Sequence, residues 1–183
     1  MKRSMVNIIS RFLGVALLAS ASAYALAAKE PRTLDWMELL PPEDREQMEK
    51  LPELMEELNA DLLAQGDQLS DDVKMPDVLQ STNVRGELAG EYVRIPGYLV
   101  PLRVNERGDA ETFFLVPYFG ACIHVPPPPP NQMVHVTFSG GLPADQIYIP
   151  YWVTGELEIE TTANELGIAT YAIDATTISE YDG

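Results

Sequence analysis

The residues in this chain whose types could do chemistry are few: one cysteine, Cys122, and two histidines, His124 and His135. Cys122 and His124 lie in the block PYFGACIHVPPPPPNQ, Pro117–Gln132, which also carries five consecutive prolines, Pro126 to Pro130. In an extended segment residues i and i+2 point to the same side, so Cys122 and His124 would share a face. A thiolate and an imidazole are ligands that suit Zn²⁺ or copper. His135 follows in MVHVTF, Met133–Phe138, whose alternation places Val134, Val136 and Phe138 on one face and His135 with Met133 and Thr137 on the other. A proline loop could bring that second face back toward Cys122 and His124. The three residues together are a candidate zinc site, with a fourth ligand from a carboxylate or water.

The same residues admit plainer readings. A single C-x-H is a much weaker signal than paired C-x-x-C knuckles, and a free cysteine is commonly a small buried hydrophobe. His124 could be a hydrogen-bonded residue that pins the loop. A thiol–imidazole nucleophile is a further option, but no orienting third group or oxyanion donor can be identified, so an enzyme ranks last and no catalytic residue is assigned. The prolines form a stiff polyproline II rod, which either presents itself to an aromatic groove or holds Cys122 and His124 in place. The second role needs no partner and is preferred. Tyr118 and Phe119 read as packing residues.

The elements that must position this block follow in order. Lys2, Arg3 and Arg11, the apolar run Phe12–Leu18 and the small-residue stretch ending Ala25-Leu26-Ala27 read as a secretory signal peptide over residues 1–27, which implies a periplasmic location. The apolar run is shorter than the ~20 residues a spanning helix needs, and no transmembrane segment is expected in the mature protein. Residues 28–66 read as a helical N-terminal segment. Leu34–Leu40 has helical spacing, Pro41-Pro42 stops it, and Pro42 opens a second helix with Glu43 and Asp44 at its positive end. Pro52 is expected to interrupt that helix. Leu51, Leu54, Met55, Leu58 and Leu62 form an apolar stripe expected to pack on the chain's own domain. Residues 67–90 read as a polar connector, pinned by Met75, Val78 and Leu79.

From Glu91 the pattern turns to period two. Val93 and Ile95 share one face; beyond Pro96-Gly97 the apolar set becomes Tyr98, Val100, Leu102 and Val104, which predicts a bend or bulge at the glycine. NERGD, Asn105–Asp109, is a turn and Thr112–Val116 a second strand. Met133–Phe138 makes a third, Ser139–Gln146 reads as a loop, Ile149–Thr161 as a fourth strand and Ala169–Ile173 as a fifth, with Ile178 and Tyr181 in a short tail. The expected fold is α+β: N-terminal helices followed, over residues 91–183, by a small five-stranded OB-like Greek-key β-barrel.

The formal net charge is −16 over 183 residues. Such a surface repels nucleic acid, whose binding requires phosphate neutralisation, and suits solubility first, or else a cationic partner or ion. One cysteine cannot form an internal disulfide, so the core alone holds the fold.

The block FFLVPYFGACIHVPPPPPNQ resembles the defining motif of an uncharacterised family of exported proteobacterial proteins, a domain of unknown function. LDWMELLPPEDR, MPDVLQSTNV, VRIPGYLVPL and PYWVTGELEIET are similar to it as well, and Cys122, His124 and Asn131 match the block. The resemblance implies an envelope location and an accessory role beside ABC-type transport systems, some of them linked to zinc. The expectation is therefore an exported accessory protein that binds zinc through Cys122, His124 and His135 and works with envelope transporter components. Its alternative is a metal-free interaction module with a buried thiol and a rigid polyproline loop.

Overall fold

Alternating apolar residues in Tyr92–Val104, interrupted by Pro96-Gly97, make one strand long enough to serve two neighbours. The computed structural model describes residues 30–65, 75–121, 127–145 and 148–182. Its strands are β1 (Arg32–Thr33), β2 (Tyr92–Val104), β3 (Asp109–Val116), β4 (Val134–Pro143), β5 (Pro150–Glu158), β6 (Thr162–Asn164), β7 (Gly167–Ala169) and β8 (Tyr171–Glu180). One α-helix, α1, spans Pro42–Gln65, and 3₁₀ turns lie at Trp36–Leu39, Asp77–Gln80, Gly86–Leu88 and Pro130–Gln132. The signal peptide read over residues 1–27 lies outside the described residues.

β2 pairs with β5 through Tyr92–Tyr98 and with β3 through Tyr98–Val104. The ring β2-β3-β4-β8-β5 thus closes on itself, antiparallel except for the parallel β4–β8 pair. Counting only the five ring strands in chain order, the arrangement is 1-2-3-5-4, the Greek-key barrel of the OB type. Closure leaves the long strands without a continuous open edge. β6 and β7 form a separate hairpin in the connection between β5 and β8.

The interior is filled from one face of each strand, by residues such as Val93, Ile95, Phe113, Val136, Val153 and Tyr171. Leu34, Leu39 and Leu88 belong to the same cluster, so the segment before β2 plugs the barrel. The Trp36 turn is held by a capping box between Asp35 and Glu38. The Trp36 indole donates to the Pro96 carbonyl at 2.7 Å and lies over Gly97, where a Cβ would stand 3.0 Å from its ring and 2.7 Å from the Val116 carbonyl oxygen. A glycine is needed there because the Val116 main chain, with the Leu115 and Trp36 side chains, occupies the space of a side chain.

Several details depart from the pattern-based reading, the last barrel strand among them: β8 runs Tyr171–Glu180, through Ile178 in the segment read as a tail, while Ala169 belongs to β7. Val93, Ile95 and Leu99 keep one phase through Gly97; Val100, Tyr98 and Leu102 are covered on the opposite, outer face by a second cluster. The apparent phase flip at the glycine was a strand becoming buried on both faces. Ser139–Gln146 is not all loop. β4 runs on to Pro143 and pairs with Asp109 and Ala110, with a register shift opposite Gly140-Gly141 and Gly141 at φ +64°. Pro52 lies within a continuous α1. A helix so exposed can lose one internal hydrogen bond there, because water reaches the freed carbonyl. Finally, the described part of the stripe on α1 is not buried: Leu54 is 41% exposed, and Leu51 and Met55 are half-buried. Beyond Asp44 no described side chain of α1 is buried, while the Leu58 and Leu62 side chains lie outside the described ones. Of the connector residues, Val78 and Leu88 are buried whereas Met75 is 42% exposed. No described helix is long and apolar enough to cross a membrane.

Candidate functional site

Two surfaces and one buried polar cluster stand out. The first surface is the outer face of β2, β3 and β4. The period of β4 sends Val134 and Val136 into the barrel and leaves His135 outside, paired across β3 with Phe114. The Phe114 ring meets the imidazole edge-on, with centroids 6.3 Å apart. The β6–β7 hairpin folds over this face, with Leu166 and Ala169 packed against the outer cluster of Phe114, Val116 and Met133. Its tight turn is held by the Asn164 side chain, which accepts from the Leu166 amide at 2.8 Å. Between hairpin and strands lies a pocket of about 740 Å³, walled by Arg103, Thr112, His135, Thr162, Asn164 and Glu165. In OB barrels this outer face and its flanking loops are where ligands bind.

Burial lowers the His135 pKa from its ordinary 6.5, and Glu160 partly opposes the shift. The ring is thus neutral at pH 7 and keeps a lone pair for a ligand. The shift has a consequence for stability. Below about pH 6.5 the unfolded chain takes up a proton at this position that the folded chain resists, so stability falls with pH until the folded value is passed. His135→Gln is expected to flatten that part of the profile. Urea melts of both proteins between pH 5 and 7.5 check it; parallel profiles would contradict the assignment.

The second surface is a groove of about 660 Å³ between Tyr118, Phe119, Leu79 and the rod Pro127–Pro129. Phe119 is 54% exposed and meets Tyr98 edge-on at 5.7 Å. Tyr118 and Phe119, read as packing residues, thus lie largely at the surface.

The buried cluster is one that residue patterns did not reveal. Asp44 is 3% exposed at the start of α1. Its carboxylate accepts from the Ser81 hydroxyl at 2.5 Å, from Asn83 Nδ2 at 3.2 Å and from Asn131 Nδ2 at 2.8 Å. Asn131 also donates to the Asn83 carbonyl, and Gln132 Nε2 donates to the Trp36 carbonyl at 2.7 Å. Asn131 Oδ1 is buried with no hydrogen-bond partner among the described residues. The end of the proline run is therefore fastened to both N-terminal segments.

Of the three residues read as metal ligands, His135 stands at the pocket. Cys122 and His124 lie outside the described residues. Ala121, directly before them, is fully buried in the outer cluster with Phe114 and Met133. Among the described residues no group of three or more His, Cys, Asp or Glu converges on a point.

Residues 36–180 match the family model described as a protein of unknown function, DUF3299. The chain belongs to this family. Its fold is similar to the crystal structure of a DUF3299 family protein from Pseudomonas aeruginosa PAO1, at 35% identity and TM-score 0.61, covering 84% of this chain and 98% of that one. A small single-stranded DNA-binding protein from Streptomyces coelicolor also aligns, at 16% identity and TM-score 0.29 over 51% of this chain and 95% of that one. No curated protein sequence matches. The resemblance drawn from the proline block thus holds at the level of the family. In this DUF3299 chain the blocks LDWMELLPPEDR, MPDVLQSTNV and the closing PNQ meet in space, contributing Asp44, Ser81 with Asn83, and Asn131 to the one polar cluster.

Proposed function

We propose that this chain is an exported binding protein that takes its ligand on the outer face of β3 and β4, with zinc as that ligand. The observation that carries the reading is the pocket beneath the β6–β7 hairpin, with a neutral, half-buried His135 in its wall. Burial of Ala121 in the cluster on this same face supports Cys122 and His124 as the partners of His135. Neutral imidazole and thiolate are the ligand forms zinc requires. The signal-like residues 1–27 support export to the periplasm, and the family resemblance supports an accessory role beside an ABC-type transporter of the envelope.

Zinc titration of the purified protein, followed by calorimetry, tests it. One Zn²⁺ per chain is expected, with affinity reduced roughly 10- to 100-fold or more in His135→Ala and in Cys122→Ser. Absence of stoichiometric binding, or equal affinity in the two variants and the parent, would sink the metal reading. A second reading, a metal-free interaction module, is favoured by the exposed Tyr118 and Phe119 beside Pro127–Pro129. Aromatic grooves of this kind take extended peptide segments.

A further inference from the structure

We propose that α1 is a docking arm for a partner protein that offers an apolar groove rimmed by lysine and arginine. The helix is 24 residues long, and its described side-chain hydrogen bonds to the rest of the chain lie at its start. There Asp44 is held by Ser81, Asn83 and Asn131, and Arg45 Nε donates to the Met37 carbonyl at 3.0 Å. Beyond that turn no described side chain is buried. Leu51 and Met55 are half-buried and Leu54 is exposed, so the apolar residues at i, i+3 and i+4 are not fully covered by the described residues.

The charge on the helix says what would cover them. Its sequence holds eight acidic residues and two basic ones, and its last turn has no basic residue to meet the negative end of the dipole. Lys50 is already paired with Glu46 at 2.6 Å. Glu49, Glu53 and Glu57 succeed one another at i, i+4, a spacing at which like charges repel. Charge and apolar stripe together match the helix-in-groove mode of recognition, with a cationic rim on the partner. A second copy of this chain does not fit, because each carries a net charge of −16. An anionic lipid surface does not fit either, since interfacial helices use lysine and arginine on the polar face.

The full chain without residues 1–27 is titrated into a fluorescent amphipathic peptide of leucine and lysine, helical in design. The controls are a peptide of the same composition with its leucines dispersed, and vesicles of phosphatidylcholine and phosphatidylglycerol. Binding to the ordered peptide is expected, weakening with added salt. Leu54→Asp is the decisive variant: it adds a negative charge, which by attraction alone would strengthen binding, while removing the apolar contact. A loss of about tenfold or more is expected, with an unchanged unfolding midpoint because the site is exposed. Glu53→Lys with Glu57→Lys should weaken binding too, and zinc affinity should stay the same in all of them. Equal binding by Leu54→Asp or by the dispersed peptide, binding to the vesicles in preference, or self-association of the chain at micromolar concentration would each overturn the proposal.

Discussion

Asp44→Ala is expected to lower the free energy of unfolding by about 3 kcal/mol, read from urea melts. The carboxylate is the shared acceptor for three donors, from Ser81, Asn83 and Asn131. Hydrogen bonds to a charged group contribute about 1.5–3 kcal/mol each, and a buried donor left alone costs about 1–3 kcal/mol. The full sum is not reached, because the alanine also removes the desolvation of a buried charge, and because the Ser81 hydroxyl can turn toward another acceptor. Asn131 has no such freedom: it is fully buried, and its amide keeps only the Asn83 carbonyl. Asp44→Asn should be comparably damaging despite its shape, since an amide group would set N–H against N–H. A change below 1 kcal/mol in Asp44→Ala would show that the cluster does not tie these segments together.

Gly155→Ala should destabilise by about 3 kcal/mol or more, on steric grounds alone. A Cβ at Gly155 would run into the Asp174 carbonyl oxygen and stand 2.6 Å from Ile173 Cγ2. The obstruction is main chain on the neighbouring strand, so no rotamer change relieves it. β5 and β8 already shift register between Thr154 and Gly155, which brings the two backbones together at this point. Gly86→Ala is the matched comparison: a Cβ there meets nothing within 4 Å, and a change within about 0.5 kcal/mol is expected. Thermal melts of the two variants should separate clearly; similar midpoints would contradict the packing.

The barrel was legible because strand patterning is local. Val93 and Ile95, Val134 and Val136, and Tyr151 and Val153 each record which side of their strand faces the core, and turns such as NERGD mark the reversals. What escaped was whatever depends on a second neighbour. Val100 reads as a phase change until the outer cluster over it is known. Gly140-Gly141 reads as loop until Asp109 and Ala110 supply the pairing. Leu54 on its helical stripe reads as core, since spacing shows that a face is apolar and says nothing of whether anything covers it. Asp44, Ser81, Asn83 and Asn131 are polar residues scattered over 87 positions between the first and last. No periodicity connects them; their meeting is a product of the folded chain. His135 was placed correctly on the outer face by alternation alone, whereas the walls of its pocket come from the β6–β7 hairpin, whose position is set by tertiary packing.

The way β2 is shared has a kinetic meaning. Tyr92 must find Glu156 before the ring is shut, and apart from the β2–β3 and β6–β7 hairpins the inter-strand pairings join more distant parts of the chain. Loop-closure entropy then opposes assembly until late, which places folding in the millisecond-to-second range typical of non-local β topologies. During that interval β2 and β5 stand as unpaired apolar strands, vulnerable to association with other chains. The acidic charge that disfavours nucleic acid also holds such half-assembled molecules apart, which lowers the risk that slow closure ends in association.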